Sequence, residues 1–216
     1  MKLLNSFGPN PRAVRMFMIE KGIEMPTEEL DLLGGDNRAE AYVKKNPGGQ
    51  MPSLELDDGT VFGETVAVCE YLEEKHPDPA LIGSTAEERA NTRQWMRRVE
   101  LNITENMYNG FRYAEGIDIF RDRLYCIPEA ADGLKAKAAD SRKWLDSLIA
   151  GRDFIASDKM TMADIILYCC IDFAKDVGQP LDEDNDNLSA WFARIDDRPS
   201  ATASLHPGAG EVKMRG

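Results

Sequence analysis

A small mixed α/β domain over residues 1–78, joined by a linker at 79–85 to an all-helical domain over 86–203, is the fold class this sequence predicts. Three observations predict it. Short apolar stretches alternate with helix-like patterns in the first third of the chain. Turn-forming residues crowd "HPDPALIGST" (76–85) without periodicity. Beyond it, every patterned segment has helical spacing.

The elements follow in order. "KLLNSF" (2–7) is short and apolar enough for a first strand. "RAVRMFMIEKG" (12–22) spaces Val14, Phe17, Met18 and Ile19 as a helix, and Gly22 supplies its stop. "EELDLL" (28–33) predicts a second strand. "RAEAYVKKNP" (38–47) predicts a short polar helix ended by Pro47. "PSLELDDGTVFGE" (52–64) predicts a hairpin, with Leu54 and Leu56 alternating and Asp57-Asp58-Gly59 as the turn. "TVAVCEYLEEKH" (65–76) is a helix with Val68, Cys69 and Leu72 on one face.

Past the linker, Ser84 or Thr85 followed by Glu87 and Glu88 forms a capping-box pattern. It opens one long helix over 86–111. "DGLKAKAADSRKWLDSLIAG" (132–151) is a second helix, stopped by Gly151. "TMADIILYCCIDFAKD" (161–176) is a third, with Thr161 as cap and Asp164 three residues on. Its middle is apolar nearly all round, which predicts a buried central helix. "NLSAWFARIDDRP" (187–199) is a fourth, ended by Pro199. Residues 204–216 read as an irregular tail.

Composition narrows the function. The chain has 216 residues, with 38 Asp and Glu against 26 Lys and Arg, a formal net charge of -12. Such a field repels nucleic acid and anionic membranes, so neither is an expected partner. No apolar run approaches the roughly 20 residues that span a bilayer, and "MKLLNSFGPN" lacks the features of an export leader. The four cysteines, Cys69, Cys126, Cys169 and Cys170, form no CxxC pair. Buried, reduced thiols in a cytoplasmic protein are expected. The two histidines, His76 and His206, each precede Pro. Neither a metal cluster nor a Ser-His-Asp triad is therefore expected.

The segment "NPGGQMPSLELDDGTVFGET" (46–65) concentrates the chemistry. A cis Met51-Pro52 bond would turn the backbone before the strand. It would leave the N–H and C=O of Met51 free to pair with an extended peptide. A plain trans proline opening a strand is the alternative. A helix starting near Thr65 would aim free N–H groups at a carboxylate. The Thr65 hydroxyl adds a donor, and the Glu64 carboxylate suits an ammonium group. A simple cap with Glu64 in solvent remains open. Read together, these features describe a site for a small peptide with a free amino-acid end.

The chain resembles the cytosolic, bacterial-type glutathione S-transferases. The resemblance rests on "NPGGQMPSLELDDGTVFGETVAVCEYLE", "RAVRMFMIEKGI" and "FIASDKMTMADIIL", and it spans about residues 1–200. It implies a thioredoxin-like first domain, an all-helical second domain and a homodimer. It implies glutathione as co-substrate, with no metal. Pro52 matches the family's cis-proline, and Met51 its main-chain contact to the cysteinyl unit. Glu64 and Thr65 match the acidic and hydroxyl pair at the γ-glutamyl end, where Ser is commoner than Thr. Gln50, beside the cis-proline, is implied as a further donor to the peptide, and Asn37 as a polar residue near the glycyl end. Thr161 and Asp164 match a structural cap.

One departure affects the chemistry. A free thiol has a pKa of about 8.5 and needs activation at neutral pH. The family uses a Tyr or Ser hydroxyl, or substitutes a Cys, just after the first strand. Here the segment is "NSFGPNPRAVR", and the position that holds Ser or Cys in relatives is Gly8. The remaining side-chain donors are Ser6, Asn10 and Arg12. Asn10 is chosen as the catalytic residue, assisted by the helix N-terminus and the Gly8 N–H. A capping role for Asn10 remains open, and Ser6 reads as a strand-end residue.

Phe7, Tyr108, Phe111 and Arg112 are expected to line the pocket for a small hydrophobic or electrophilic second substrate. An aromatic cluster at this spacing also suits a core. A non-catalytic interaction protein and a glutathione-dependent isomerase or ether-cleaving enzyme are the competing functions.

Overall fold

The computed structural model of the chain describes residues 1–208. Strand β1 (Lys2–Asn5) leads into helix α1 (Pro9–Lys21), which returns to strand β2 (Thr27–Glu29). A 3-10 turn (Asp36–Arg38) and helix α2 (Glu40–Lys45) precede strands β3 (Ser53–Glu55) and β4 (Val61–Phe62). Helix α3 (Thr65–Lys75) closes this part. The sheet order is β2-β1-β3-β4. β1 pairs parallel with β2 and antiparallel with β3, and β3 pairs antiparallel with β4. This is the thioredoxin-like arrangement that the resemblance implied.

The second strand is shorter than the 28–33 expected. β2 spans Thr27–Glu29, and all three residues are exposed. Leu32 and Leu33 leave the sheet to line a cleft. Their apolar character reflects that cleft rather than a strand face. Beneath the sheet, Leu3, Val14, Phe17, Leu54, Val68 and Leu72 are almost fully buried. Each such side chain contributes about 1.5–3 kcal/mol of transfer free energy.

The helical part comprises α4 (Ala86–Val99), a π-helical segment (Glu100–Thr104), α5 (Glu105–Arg112) and α6 (Ile117–Phe120). A 3-10 turn (Pro128–Ala130) leads to α7 (Ala131–Leu148), α8 (Met162–Asp176), α9 (Asp186–Asp196) and α10 (Pro199–Ala203). The single helix expected over 86–111 is therefore interrupted. Within the interruption, Asn102 Nδ2 donates to the Arg98 carbonyl at 2.9 Å. Asn106 Nδ2 donates to the carbonyls of Leu101 and Asn102 at 3.0 and 2.8 Å. These amides take up carbonyls at the point where a π-turn breaks the regular ladder.

Pro199 does not end a helix, contrary to expectation. It occupies the first turn of α10, where its missing N–H costs nothing. The expected irregular tail is partly packed, since Ser204 is fully buried and His206 lies against Phe7. Residues 209–216 of that tail lie outside the described residues. No helix among the described residues is long and apolar enough to cross a membrane.

Helix α8 is the central element expected, with every residue from Met162 to Ala174 buried. Its start is more than a helix cap. The buried Asp164 carboxylate accepts from the Thr161 N–H (2.8 Å), the Thr161 hydroxyl (2.9 Å) and the Ile155 N–H (2.9 Å). It also accepts from the Trp191 indole N–H at 2.9 Å. Asp164 thus fastens the preceding loop and α9 to α8. Of the four cysteines, Cys69, Cys169 and Cys170 are buried and Cys126 is half-buried, all as free thiols. Burial pushes the Cys169 thiol up to about 11 and that of Cys170 to about 12. They are packing groups rather than nucleophiles.

Three substitutions should differ in their cost to stability. Asp164→Ala leaves four donors without an acceptor, and should cost about 3–5 kcal/mol in urea denaturation. Thr161→Ala should cost only about 1 kcal/mol. Arg12→Ala, which removes the buried guanidinium that pairs with Asp172, should cost about 3–5 kcal/mol by the same measurement.

Candidate functional site

The start of α1 is unusual in its hydrogen-bond donors. Pro9 and Pro11 have no N–H, so Asn10 alone supplies a main-chain donor among the first three helical positions. Gly8 occupies the cap position with φ 117, and no side chain caps this end. The capping role left open for Asn10 is therefore not the one it plays. Asn10 is half-buried and lines a cleft. Gly8 leaves space for a Cβ, but its backbone angle disfavours any side chain. A hydroxyl or thiol at this position would need a different backbone.

The other candidate donors are committed elsewhere. Ser6 Oγ donates to the Leu30 carbonyl at 2.9 Å, fixing the end of β1. Arg12 is buried against α8 and the chain that follows α9. Its guanidinium faces the interface between the two parts of the molecule.

A cleft open to solvent lies between the α1 start, the loop before β3, and helices α5, α6 and α8. It brings together Phe7, Gly8, Asn10, Asn37, Gln50, Met51, Tyr108, Phe111 and Arg112, all named from sequence. Burial pushes the Tyr108 phenol well above its usual pKa, so it stays protonated. The choice between core and pocket for the aromatic cluster has a mixed answer. Tyr108 and Phe111 are each about 7% exposed, packed in the core with one side on the cleft.

The loop before β3 is braced from below. Tyr42 Oη lies 2.7 Å from the Gln50 carbonyl and 3.0 Å from Ser53 Oγ. Asn46 Nδ2 donates to the Gln50 carbonyl at 2.9 Å and lies 3.2 Å from Tyr42 Oη. Asn37 Nδ2 donates to the Gly49 carbonyl at 2.6 Å. The Oδ1 of Asn37 is buried without a partner, although it lies in a residue that lines the cleft. The Met51-Pro52 bond is cis. The main-chain N–H and C=O of Met51 have no hydrogen-bond partner among the described residues.

Pro52, Glu64 and Thr65 do not line the cleft. A Cβ at Gly63 would sit 3.0 Å from Asn46 Oδ1. The same Asn46 amide holds Gln50, so the two segments are joined through one side chain. Glu64 caps α3 with φ 68, the one non-glycine positive φ among the described residues. Residues held in such conformations cluster at ligand clamps. Glu64 is exposed, and neither its carboxylate nor the half-buried Thr65 hydroxyl has a hydrogen-bond partner among the described residues. The first-turn N–H groups of α3 have no intrahelical partners.

Sequence reasoning missed several lining residues. Arg38, Arg123, Ile119, Phe120 and Phe173 reach the cleft from segments without a clear pattern, or from a helix read as wholly core. The bracing roles of Tyr42 and Asn46 were also missed. A buried Tyr in an otherwise polar short helix was the available signal.

The comparisons agree with this geometry. The glutathione S-transferase N-terminal domain model matches residues 7–75, and the C-terminal domain model matches residues 128–194. Maleylacetoacetate isomerase of Pseudomonas aeruginosa is 38% identical over 196 residues, covering 90% of this chain and 86% of that protein. A glutathione S-transferase domain-containing protein from Marinobacter aquaeolei is 32% identical with a TM-score of 0.87, covering 93% of this chain and 100% of that one. Gtt2 from Saccharomyces cerevisiae is 28% identical with a TM-score of 0.87, covering 95% of this chain and 100% of that one. The chain belongs to the glutathione S-transferase family.

Replacing Tyr42 with Phe removes the brace beneath Gln50 and Ser53. Chemical denaturation should show a loss of about 1–3 kcal/mol, with no loss of helix content in the folded state.

Proposed function

We propose that this chain is a glutathione transferase that promotes thiolate attack on a small electrophilic or peroxide substrate. The observation that carries the reading is the convergence, along one wall, of an unpaired main-chain Met51, the unpartnered buried Oδ1 of Asn37 and a first helical turn with Asn10 as its donor. Bound glutathione supplies the sulfur nucleophile. Met51 pairs through its main chain with the cysteinyl unit. Glu64 and Thr65 hold the γ-glutamyl ammonium and carboxylate, assisted by the α3 N-terminus. Asn37 and Gln50 face the glycyl end.

Asn10 is the catalytic residue in this reading. Its amide N–H groups, the N–H of Gly8 and the α1 N-terminus stabilise a thiolate relative to a thiol. An amide donor is a weaker activator than a nearby cation, so the thiol pKa falls modestly. The aromatic wall of Phe7, Tyr108 and Phe111 receives the second substrate. A cytoplasmic homodimer completes the proposal.

A second reading is glutathione-dependent isomerisation. The 38% identity to a protein named maleylacetoacetate isomerase favours it. The two readings share the glutathione site and differ in what happens to the adduct.

Asn10→Ala should lower kcat about 10–100-fold while changing glutathione Kd less than about threefold. Equal losses in rate and affinity would remove Asn10 from the sulfur. Glu64→Gln should weaken glutathione binding about tenfold by calorimetry. Binding without any thiolate absorbance at neutral pH would point instead to a non-catalytic scaffold.

A further inference from the structure

The chain carries 38 acidic residues against 26 basic ones, yet none of the residues lining the cleft is Asp or Glu. Three arginines line it, Arg38, Arg112 and Arg123. Concentrated positive charge in the cleft of an acidic protein focuses the field on an anion entering it.

The three arginines differ in their surroundings. Arg38 lies on the same wall as Asn37 and Gln50. Burial lowers its pKa, and the charge of Arg123 lowers it further. Its Nε is buried without a partner. Arg123 comes from the opposite side. Its Nη1 and Nη2 donate to the carbonyls of Leu32 (2.8 Å) and Leu33 (3.1 Å), spanning the cleft mouth. Among the described residues, no carboxylate lies within ion-pair distance of Arg38 or Arg123. In the transferase reading a carboxylate of the tripeptide on the Asn37 wall answers Arg38, which leaves Arg123 without a carboxylate partner among the described residues and Arg112 with a long pair to Glu105.

Arg112 is placed for recognition. Its guanidinium carbon lies 5.7 Å from the ring centroids of both Tyr108 and Phe120. Nη1 donates to Asn109 Oδ1 at 3.1 Å and forms a long ion pair, 3.7 Å, with the exposed Glu105 carboxylate. Nε and Nη2 have no partner among the described residues. A planar, aromatic-supported guanidinium with two open donors suits a carboxylate or sulfonate. Beside it, Phe111, Phe120 and Phe173 pack edge to face, with centroids 5.1–6.1 Å apart, and offer an apolar wall.

Resting on the transferase reading above, we propose that the second substrate is an anionic electrophile. Its carboxylate or sulfonate is held by Arg112 in the field of Arg123, and its apolar body packs on the phenylalanine wall. The reacting carbon then faces the α1 start across the cleft.

The test uses para-(bromomethyl)benzoate and its methyl ester, which share a benzylic reacting carbon. In both, a sulfur–carbon bond forms as the carbon–bromine bond breaks. Bromide leaves with the bonding pair, and the thiol proton passes to solvent. After division by the uncatalysed rates, kcat/KM should favour the carboxylate at least about tenfold at low salt, and less as salt rises. Arg112→Gln should cut that carboxylate-to-ester ratio about tenfold, and Arg112→Lys, which keeps the charge but loses the planar fork, should retain only part of it. A ratio near one in the wild type, or a ratio unchanged in Arg112→Gln, overturns the proposal.

A second arm measures binding of unreactive para-ethylbenzoate and para-ethylbenzamide by calorimetry, with and without saturating S-methylglutathione. Tighter benzoate binding that is lost in Arg112→Gln supports the anion site. Equal binding of the two compounds overturns it. If S-methylglutathione does not bind and neither bromide is turned over, the transferase reading fails, while the benzoate arm still decides the anion site.

Discussion

The buried pair of Arg12 on α1 and Asp172 on α8 fixes the relation between the two walls of the cleft. Both side chains are about 1% exposed. Arg12 also donates to Tyr168 Oη (3.2 Å), the Ala201 carbonyl (3.0 Å) and Ser204 Oγ (3.3 Å). On one side of the pair stand Asn10 and Pro11, and on the other stands Phe173, all lining the cleft. A buried ion pair adds little stability over an apolar pair of equal volume, because desolvation offsets the attraction. What it adds here is direction. A planar guanidinium with several fixed acceptors permits one docking of α1 on the helical part, where greasy contacts alone tolerate many.

The same helix carries further clamps. Arg15 donates to Asn5 Oδ1 (2.8 Å), the Ser6 carbonyl (2.9 Å) and the Ser204 carbonyl (2.9 Å). Arg198 grips Glu20 through two bonds of 2.8 and 2.7 Å. The polar residues of α1 that look solvated in sequence are therefore interface groups. Their fixation holds the α1 start, where a thiol would be activated. Main-chain donors work as an anion site only if the helix does not move when charge develops, which is what preorganisation requires. The braces under Gln50 steady the same wall in the same way.

Much of the fold was legible because periodicity reports burial. The apolar run from Ile165 to Cys170 could only be a central helix, and the Asp57-Asp58-Gly59 turn could only close a hairpin. Boundaries failed where a residue's role was set at a distance. Leu32 and Leu33 looked like strand because apolar residues near a sheet usually belong to it; they face the cleft instead. The π-turn at 100–104 left no trace in the pattern, since asparagine amides binding nearby carbonyls resemble any polar helix surface. Pro199 reads equally well as a stop or a start. Only the packing of α10 beside α1 separates these.

The site divides along the same line. Sequence by itself determined the pieces that depend on local backbone chemistry. These are the candidate cis turn at Met51-Pro52, the Glu64-Thr65 helix start, the placement of Asn10 at the start of α1, and the absence of a hydroxyl at Gly8. Each is written in a few consecutive residues, because backbone angles and missing N–H groups are properties of neighbours. Tertiary structure alone decided which side chains meet across the cleft. Arg38, Arg112 and Arg123 are scattered through an acidic chain, and no spacing rule links them. Their shared cleft is a product of docking two domains, and the charge of that cleft, opposite to that of the whole protein, exists only once the docking is made.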